Sequence, residues 1–243
     1  MYIIIIGPAH PLRGGIAALN ERLASQLINE GHDVEIYSFK LQYPGFLFPG
    51  KTQYTDTEPP ANLKIFSAIN SINPFNWLRI GLKIKRQQPD MVIVRYWLPF
   101  MAPSTGTICR LARKNKKTRV IAITDNILPH ESRPGDRQLT RFFTKSVDGF
   151  VAMSKNVFNE LDLFIKNKPK QLSPHPIYDH YGESVPKNIA KKQLLLNPDL
   201  NYLLFFGFIR DYKGLDLLLK SLSFNKLKEM DQLKIIIAGE FYS

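Results

Sequence analysis

The sequence predicts an α/β protein with a doubly wound, mostly parallel sheet in its N-terminal part and a partial second α/β domain after it. Three observations predict this. Short apolar runs alternate with helix-like stretches from Tyr2 to Met153, the order that strand–helix–strand units require. The runs are apolar at nearly every position, as strands covered on both faces must be. A proline-rich break, Ser173–Lys187, then precedes one further strand–helix–strand unit.

Each element has its own reason. Tyr2–Ile6 is a short apolar run closed by Gly7-Pro8 and reads as a buried first strand; with no basic segment before it, it is not a signal peptide. Gly15–Glu30 places Ile16, Leu19, Leu23 and Leu27 at helical spacing, and Gly31 ends it. Asp33–Phe39 is the second strand. Tyr43–Pro60, rich in Pro, Gly and Thr, reads as a loop, and Leu63–Phe66 as a strand. Phe75–Gln88 is a basic helix. Met91–Arg95, Val120–Thr124 and Gly149–Met153 are strands with helix-like stretches between them. Beyond the break, Asn188–Leu196 reads as a short helix, Tyr202–Phe206 as a strand, Leu215–Leu227 as a helix and Leu233–Ala238 as a strand. The expected organisation is therefore a domain over 1–175, a linker and connecting helix over 176–200, and an incomplete domain over 201–243. A single unit of about 40 residues buries little apolar area. Its strands either dock on the first domain, remain exposed, or extend the first sheet as edge strands.

The bulk numbers exclude some classes. At 44% hydrophobic and 22% charged, the 243 residues can build an ordinary core. One cysteine, Cys109, rules out an internal disulfide and fits a reducing compartment. No apolar run approaches the ~18 residues of a membrane span. The net charge of +12 is uneven: eleven Lys/Arg lie between Trp77 and Arg119 against one acid, Asp90. Such a stretch suits an anionic lipid surface, a phosphorylated substrate or nucleic acid.

Four constellations could carry chemistry. Gly7–Leu23 joins the first strand to the first helix, so its amides can face an anion or a sugar, and Gly14-Gly15 would let a substrate approach the backbone. It is not GxGxxG, and a Gly-rich turn serving geometry alone is the competing reading. Thr124–Asp136 follows a strand at the sheet edge where ligands bind, and holds Asp125, His130 and Glu131. His130 could hydrogen-bond a hydroxyl or move a proton; a solvated loop histidine is the alternative. Arg210 and Lys213 follow the strand Tyr202–Phe206 in LLFFGFIRDYKGLDLLL. Cations at a helix start oppose its dipole, which favours anion binding over a bare helix start. Arg79, Lys83 and Arg86 share a face of the basic helix, with Trp77, Leu78, Ile80, Leu82 and Ile84 supplying apolar area. This is either an interfacial membrane helix or a surface helix packed on the sheet. No Cys/His spacing suggests a metal.

In order along the chain, GPAHPLRGGIAALNERLASQLINEGHDVEIYSF, DGFVAMSKNV, HPIYDHYGE, FFGFIRDYKGLDLLLKSL and LKIIIAGEFY resemble the retaining glycosyltransferases of family four. The resemblance implies the GT-B architecture: two Rossmann-like domains facing a cleft, here with the second incomplete. It implies transfer of a sugar from a nucleotide-diphosphate sugar to a hydroxyl of a sugar or lipid-linked acceptor, with retained configuration and no cofactor or metal. Cell-surface polysaccharide or glycolipid synthesis in the cytoplasm, peripheral at the inner face of the membrane, is the setting it suggests. Gly14 and Gly15 would lie by donor phosphate and acceptor. Ser154 corresponds to the serine after the sixth strand, and Lys213 to the phosphate-binding lysine.

The chain departs from the pattern at three places. Phe208 stands where the family has its phosphate-binding Arg, leaving Arg210 to serve. Asp125 stands where the family often has His, and His130 is placed to compensate. The paired glutamates, E-x7-E, do not occur before Ser243, and Glu240 does not replace them. The expectation is a chain truncated within its donor domain and inactive alone. Two other readings remain: a non-catalytic module that docks on membrane or a partner through the stretch 77–119, and a nucleic-acid binder, which the lack of aromatics interleaved on an RNA-type sheet disfavours.

Overall fold

The computed structural model describes residues 1–45, 53–129, 133–178, 182–207, 209–222, 232–239 and 241. They fall into two units, one within Met1–Ile177 and one from Tyr178 onward.

β1 (Tyr2–Ile6) lies inside the first sheet because Ile3 to Ile6 have no polar face to offer water; all four are buried. It pairs in parallel with β2 (Asp33–Leu41) on one side and β4 (Met91–Tyr96) on the other. The sheet continues outward through β3 (Lys64–Asn70) beyond β2, and through β5 (Arg119–Thr124), β6 (Gly149–Ala152) and β7 (Lys170–Leu172) beyond β4. The order β3-β2-β1-β4-β5-β6-β7 is parallel at every pair and reverses at β1/β4. This is the doubly wound α/β fold that the alternation predicts.

Alternation along the strands assigns the helices to faces. Ile3, Ile5, Val34, Ile36 and Ile93 pack with Ala24 and Leu23 of α1 (Gly15–Asn29). Ile4, Ile6, Val92, Val94, Val120 and Ala122 point the other way. They meet Ile80 and Ile84 of α2 (Pro74–Gln87), Ile108 and Ala112 of α3 (Ala102–Arg113), Phe143 of α4 (Asp136–Thr144) and Val157 of α5 (Lys155–Glu160). Cys109 is buried among them, and burial pushes its thiol up.

Local boundaries differ from the sequence reading where packing decides them. β3 runs on to Asn70 because Ile69 is buried, whereas the pattern predicts an end at Phe66. α2 starts at Pro74 because Asn73 caps it, its side chain accepting from the Asn76 amide at 3.2 Å. β7 is unexpected: three residues with Lys and Gln carry no strand signature, and only pairing with β6 makes them one.

In the second unit, α6 (Lys187–Gln193) precedes β8 (Asn201–Phe206), α7 (Leu215–Ser221) and β9 (Leu233–Ala238). β8 and β9 pair in parallel with each other as a separate two-stranded sheet, so they do not extend the first sheet. The predicted helix Leu215–Leu227 is described only to Leu222, and 223–227 lie outside the described residues. No described residue of this unit is buried; Phe206 is 81% exposed. The apolar strands have no cover within the described residues.

Candidate active site

The carboxyl ends of β1, β4, β5 and β6 gather the chemistry of the first unit. After β1 the chain turns at Gly7. A Cβ there would sit 2.5 Å from Asn20 Nδ2 and 2.9 Å from Arg95 Cγ, so only glycine lets α1 and β4 close over the turn. The loop that follows is tied down along its length. The Ala9 amide donates to Ser38 Oγ at 3.0 Å, the Asn20 amide group to the Pro8 carbonyl at 2.8 Å, and the His10 amide to Glu21 Oε1 at 2.6 Å. Arg13 N–H donates to the Gln53 carbonyl at 2.9 Å, joining the loop to the segment that starts at Gln53.

Gly14 ends this loop at φ +122° and ψ 169°, a conformation that side-chain-bearing residues rarely adopt. It caps α1 without a side chain, and α1 has no acidic residue in its first turn. The first-turn amides and the positive end of the helix dipole are therefore left for a ligand. Gly14 and Gly15 are exposed, and nothing lies within 4 Å of a Cβ built on Gly14.

Asp125 lies one residue past β5, where Tyr96 pairs with Thr124 in the β4–β5 register. Its Oδ1 accepts from Arg95 Nη2 at 2.5 Å. Arg95 is 3% exposed and Asp125 15%. Asp125 Oδ2 is buried with no hydrogen-bond partner among the described residues, and so is Asn20 Oδ1. Burial pushes the Asp125 carboxyl up; the Arg95 charge and hydrogen bond, and then His175, pull it down by less. The attraction thus does not repay the desolvation of the carboxylate. A buried ion pair of this kind is weak evidence for stability, and a carboxyl pushed up by burial beside a charge marks a candidate functional position. His175 reaches this end of the sheet because its amide donates to the Met153 carbonyl at 3.2 Å.

Ser154 caps α5, its Oγ accepting from the Val157 amide at 3.3 Å, and the residue is exposed. His130 and Glu131 lie outside the described residues.

In the second unit, Arg210 and Lys213 do not stand at the start of the helix itself. A 3₁₀ turn, Asp211–Lys213, intervenes, and Gly214 at φ +73° passes the chain into α7. The turn brings the two cations to one ring: the Arg210 guanidinium is 5.9 Å and Lys213 Nζ 5.6 Å from the Tyr212 centroid. Phe208 lies outside the described residues.

The basic stretch 77–119 is less of a surface patch than its composition suggests. Arg95 belongs to the buried pair. Arg113 pairs with Asp148 at 2.6 Å, and Arg110 donates to Ser146 Oγ at 2.9 Å. Arg79, Lys83 and Arg86 are exposed on α2. Among the described residues, no group of three His, Cys, Asp or Glu could hold a metal ion, and no helix is long and apolar enough to cross a membrane.

Residues 13–173, which include Gly14, Arg95, Asp125 and Ser154 of this edge, match the profile of Glycosyltransferase Family 4. The chain belongs to that family. It is 24% identical over 227 residues to the O-antigen chain mannosyltransferase C of Escherichia coli, covering 93% of this chain and 57% of that protein. The chain thus spans little more than half the length of this curated family relative. Among solved structures, an alpha-glucosyltransferase in complex with UDP aligns over 100% of this chain and 59% of its own, with a TM-score of 0.54 and 13% identity. The catalytic domain of starch synthase IV from Arabidopsis thaliana, bound to ADP and acarbose, aligns over 99% of this chain and 68% of its own, with a TM-score of 0.53 and 14% identity. The UDP-GlcNAc 2-epimerase from Methanocaldococcus jannaschii aligns over 98% of this chain and 73% of its own, with a TM-score of 0.51 and 12% identity. These three show a shared fold alone. An epimerase among them shows why the fold does not by itself name a reaction.

Arg95, Asn20 and His175 lie at this edge of the sheet, and the sequence reading did not single them out. A signal for Arg95 was present. An arginine in the apolar run MVIVRY needs a buried counter-charge, and Asp125 follows directly after the neighbouring strand.

Proposed function

We propose that this family member acts in transfer of a sugar from a nucleotide-diphosphate sugar to a hydroxyl of a sugar or lipid-linked acceptor, with retained configuration, in synthesis of a cell-surface polysaccharide or glycolipid. The match of residues 13–173 to Glycosyltransferase Family 4 carries the reading. The O-antigen mannosyltransferase relative supports the polysaccharide setting. A cytoplasmic location fits a chain with one cysteine, which is buried.

In this proposal residues 1–175 form the acceptor-side domain, 176–200 the connector, and 201–243 the opening of the donor-side domain. The bond between the sugar's anomeric carbon and the diphosphate oxygen breaks. The acceptor oxygen bonds to the same face of that carbon, and its proton passes to the departing phosphate. Negative charge grows on the diphosphate, and the Arg210–Lys213 pair meets it. Gly14 and Gly15 let donor phosphate and acceptor approach the backbone. Asp125 Oδ2 accepts a hydroxyl of the reacting sugars, Arg95 holds that carboxylate in place, and Ser154 donates to the acceptor. His130 hydrogen-bonds a hydroxyl of the reacting sugars. No cofactor is required.

The mannosyltransferase extends well past what this chain matches, so we propose that the 243 residues alone transfer little or no sugar. The test is calorimetric titration of the chain with GDP-, UDP- and ADP-sugars, followed by grafting the relative's unmatched C-terminal segment and assaying transfer. The reading expects one nucleotide series to bind, and the graft to transfer its sugar with retention. Binding of none, or an inverted product, contradicts it.

A further inference from the structure

We propose that His175 is an acceptor-binding residue which, together with Asp125, holds two hydroxyls of a pyranose at the carboxyl edge of the first sheet. The proposal rests on the sugar-transfer reading and names the chemical group that the first unit would hold. Three neighbouring strands bring the two residues together. Thr124 lies opposite Ala152 in the β5–β6 register, so Asp125 and Met153, one residue further on, come side by side past the strand ends. β7 continues the row. The Ser173 amide donates to the Ala152 carbonyl at 2.9 Å, and the His175 amide to the Met153 carbonyl at 3.2 Å. Asp125 and His175 are thus two strand spacings apart, about 10 Å, with Met153 between them. Two hydroxyls of one pyranose, each with a hydrogen bond of about 2.8 Å, cover that distance.

The chemistry of the two groups agrees with such a ligand. Nδ1 of His175 lies 2.7 Å from the Pro176 carbonyl oxygen. A carbonyl only accepts, so Nδ1 carries the proton, and in the neutral ring Nε2 is an acceptor. Asp125 gives Oδ1 to Arg95, Oδ2 has no hydrogen-bond partner among the described residues, and 15% of the side chain stays in water. Two acceptors select a ligand that brings two O–H donors. His175 is exposed, and it is near enough for its charge to favour the ionised Asp125 carboxyl. Met153, half-buried with its sulfur 4.0 Å from Arg95 Nη1, supplies apolar surface between the two polar groups, as a sugar ring requires. An anion fits worse. Its oxygens would meet the Asp125 carboxylate, and the Arg95 charge is already engaged by that carboxylate.

The test is NMR of the full chain with its backbone amides and histidine rings labelled with nitrogen-15. The probes are the methyl α-D-pyranosides of mannose, glucose and galactose, with GDP-, UDP- and ADP-sugars and inorganic phosphate in separate arms. H175A and D125N accompany the parent, with far-UV circular dichroism confirming that each folds; H175A also assigns the His175 ring signals. The ring is expected to carry its proton on Nδ1, and Nε2 to shift saturably with at least one glycoside. Binding followed at the Thr124 and Asn126 amides should weaken roughly threefold to tenfold in H175A, the loss of one neutral hydrogen bond. It should weaken roughly fivefold to tenfold in D125N, the difference between a charged and a neutral acceptor. No Nε2 shift with any glycoside overturns the proposal, as does binding that either variant retains in full. A shift with phosphate makes this an anion site, and a shift with nucleotide sugars but no glycoside gives it to the donor; either overturns the proposal. The sugar-transfer reading fails on a different result, the binding of no nucleotide sugar anywhere on the chain.

Discussion

Truncating Asp125 to alanine should destabilise the first unit by about 3 kcal/mol, because it breaks a buried ion pair in which Arg95 is 3% exposed. The generic cost of breaking a fully buried pair is about 3–5 kcal/mol, and the low end applies because Asp125 keeps 15% of its side-chain surface in water. At about 2–4 °C per kcal/mol for a domain of this size, the melting temperature should fall by about 6–12 °C. R95M/D125L should behave differently. Burial raises the Asp125 carboxyl by more than Arg95 lowers it, so the pair does not repay its own desolvation. Removing both charges should leave stability within about 1 kcal/mol of the parent, or above it. The assay is thermal and urea unfolding followed by tryptophan fluorescence; the two tryptophans, Trp77 and Trp97, both lie in the first unit, so the signal reports it alone. A loss below about 1 kcal/mol in Asp125→Ala would show that Arg95 has another adequate counter-group. A double variant as unstable as the single would show that the pair is a stabilising element, and the case for a retained functional carboxylate would fall.

The same carboxyl gives a pH dependence. Its folded value is raised, so its contribution to stability is full below the unfolded carboxyl value, about 4, and is lost as pH rises through the folded value. The stability difference between the parent and Asp125→Asn should therefore shift against the parent as pH rises above about 4 and then level off; a shift in its favour would mean that the carboxyl is lowered, not raised. Gly14→Ala should cost about 1–3 kcal/mol from backbone strain alone, since the space around it is open. Unchanged unfolding in that variant would show that the turn adopts another conformation in solution. In a direct assay with labelled nucleotide sugars, the 243-residue chain should transfer nothing above background, and measurable transfer would end the claim that it needs more of the donor domain.

Much of the fold is legible because hydrophobic burial writes itself into composition. Ile3–Ile6 can only be an interior strand, and Leu19 and Leu23 can only be one side of a helix. β7 was invisible for the converse reason: Lys170 and Gln171 have no burial pattern, and their strand exists only because β6 offers an edge. The candidate sites divide in the same way. Gly14 is a candidate from sequence because a glycine pair between a strand and a helix has a backbone meaning. Asp125 is one because the end of β5 is where open sheets bind ligands. Arg95 was miscounted as a surface cation, since a sum of charges over 77–119 does not know which side chains face inward. The same holds for the apolar side chains of α2: Trp77 and Ile80, which look available in the sequence, are spent on packing, while Phe75 is left outside.

The central claim is that a nucleoside diphosphate sugar is held by the turn after β8. The most direct measurement is a backbone amide NMR titration of the chain with GDP-, UDP- and ADP-sugars, repeated on R210Q/K213Q. The account predicts saturable shifts at Gly207, Arg210, Lys213 and Gly214 for one nucleotide series, lost in the double variant. Shifts confined to other residues, or unchanged in R210Q/K213Q, would contradict it.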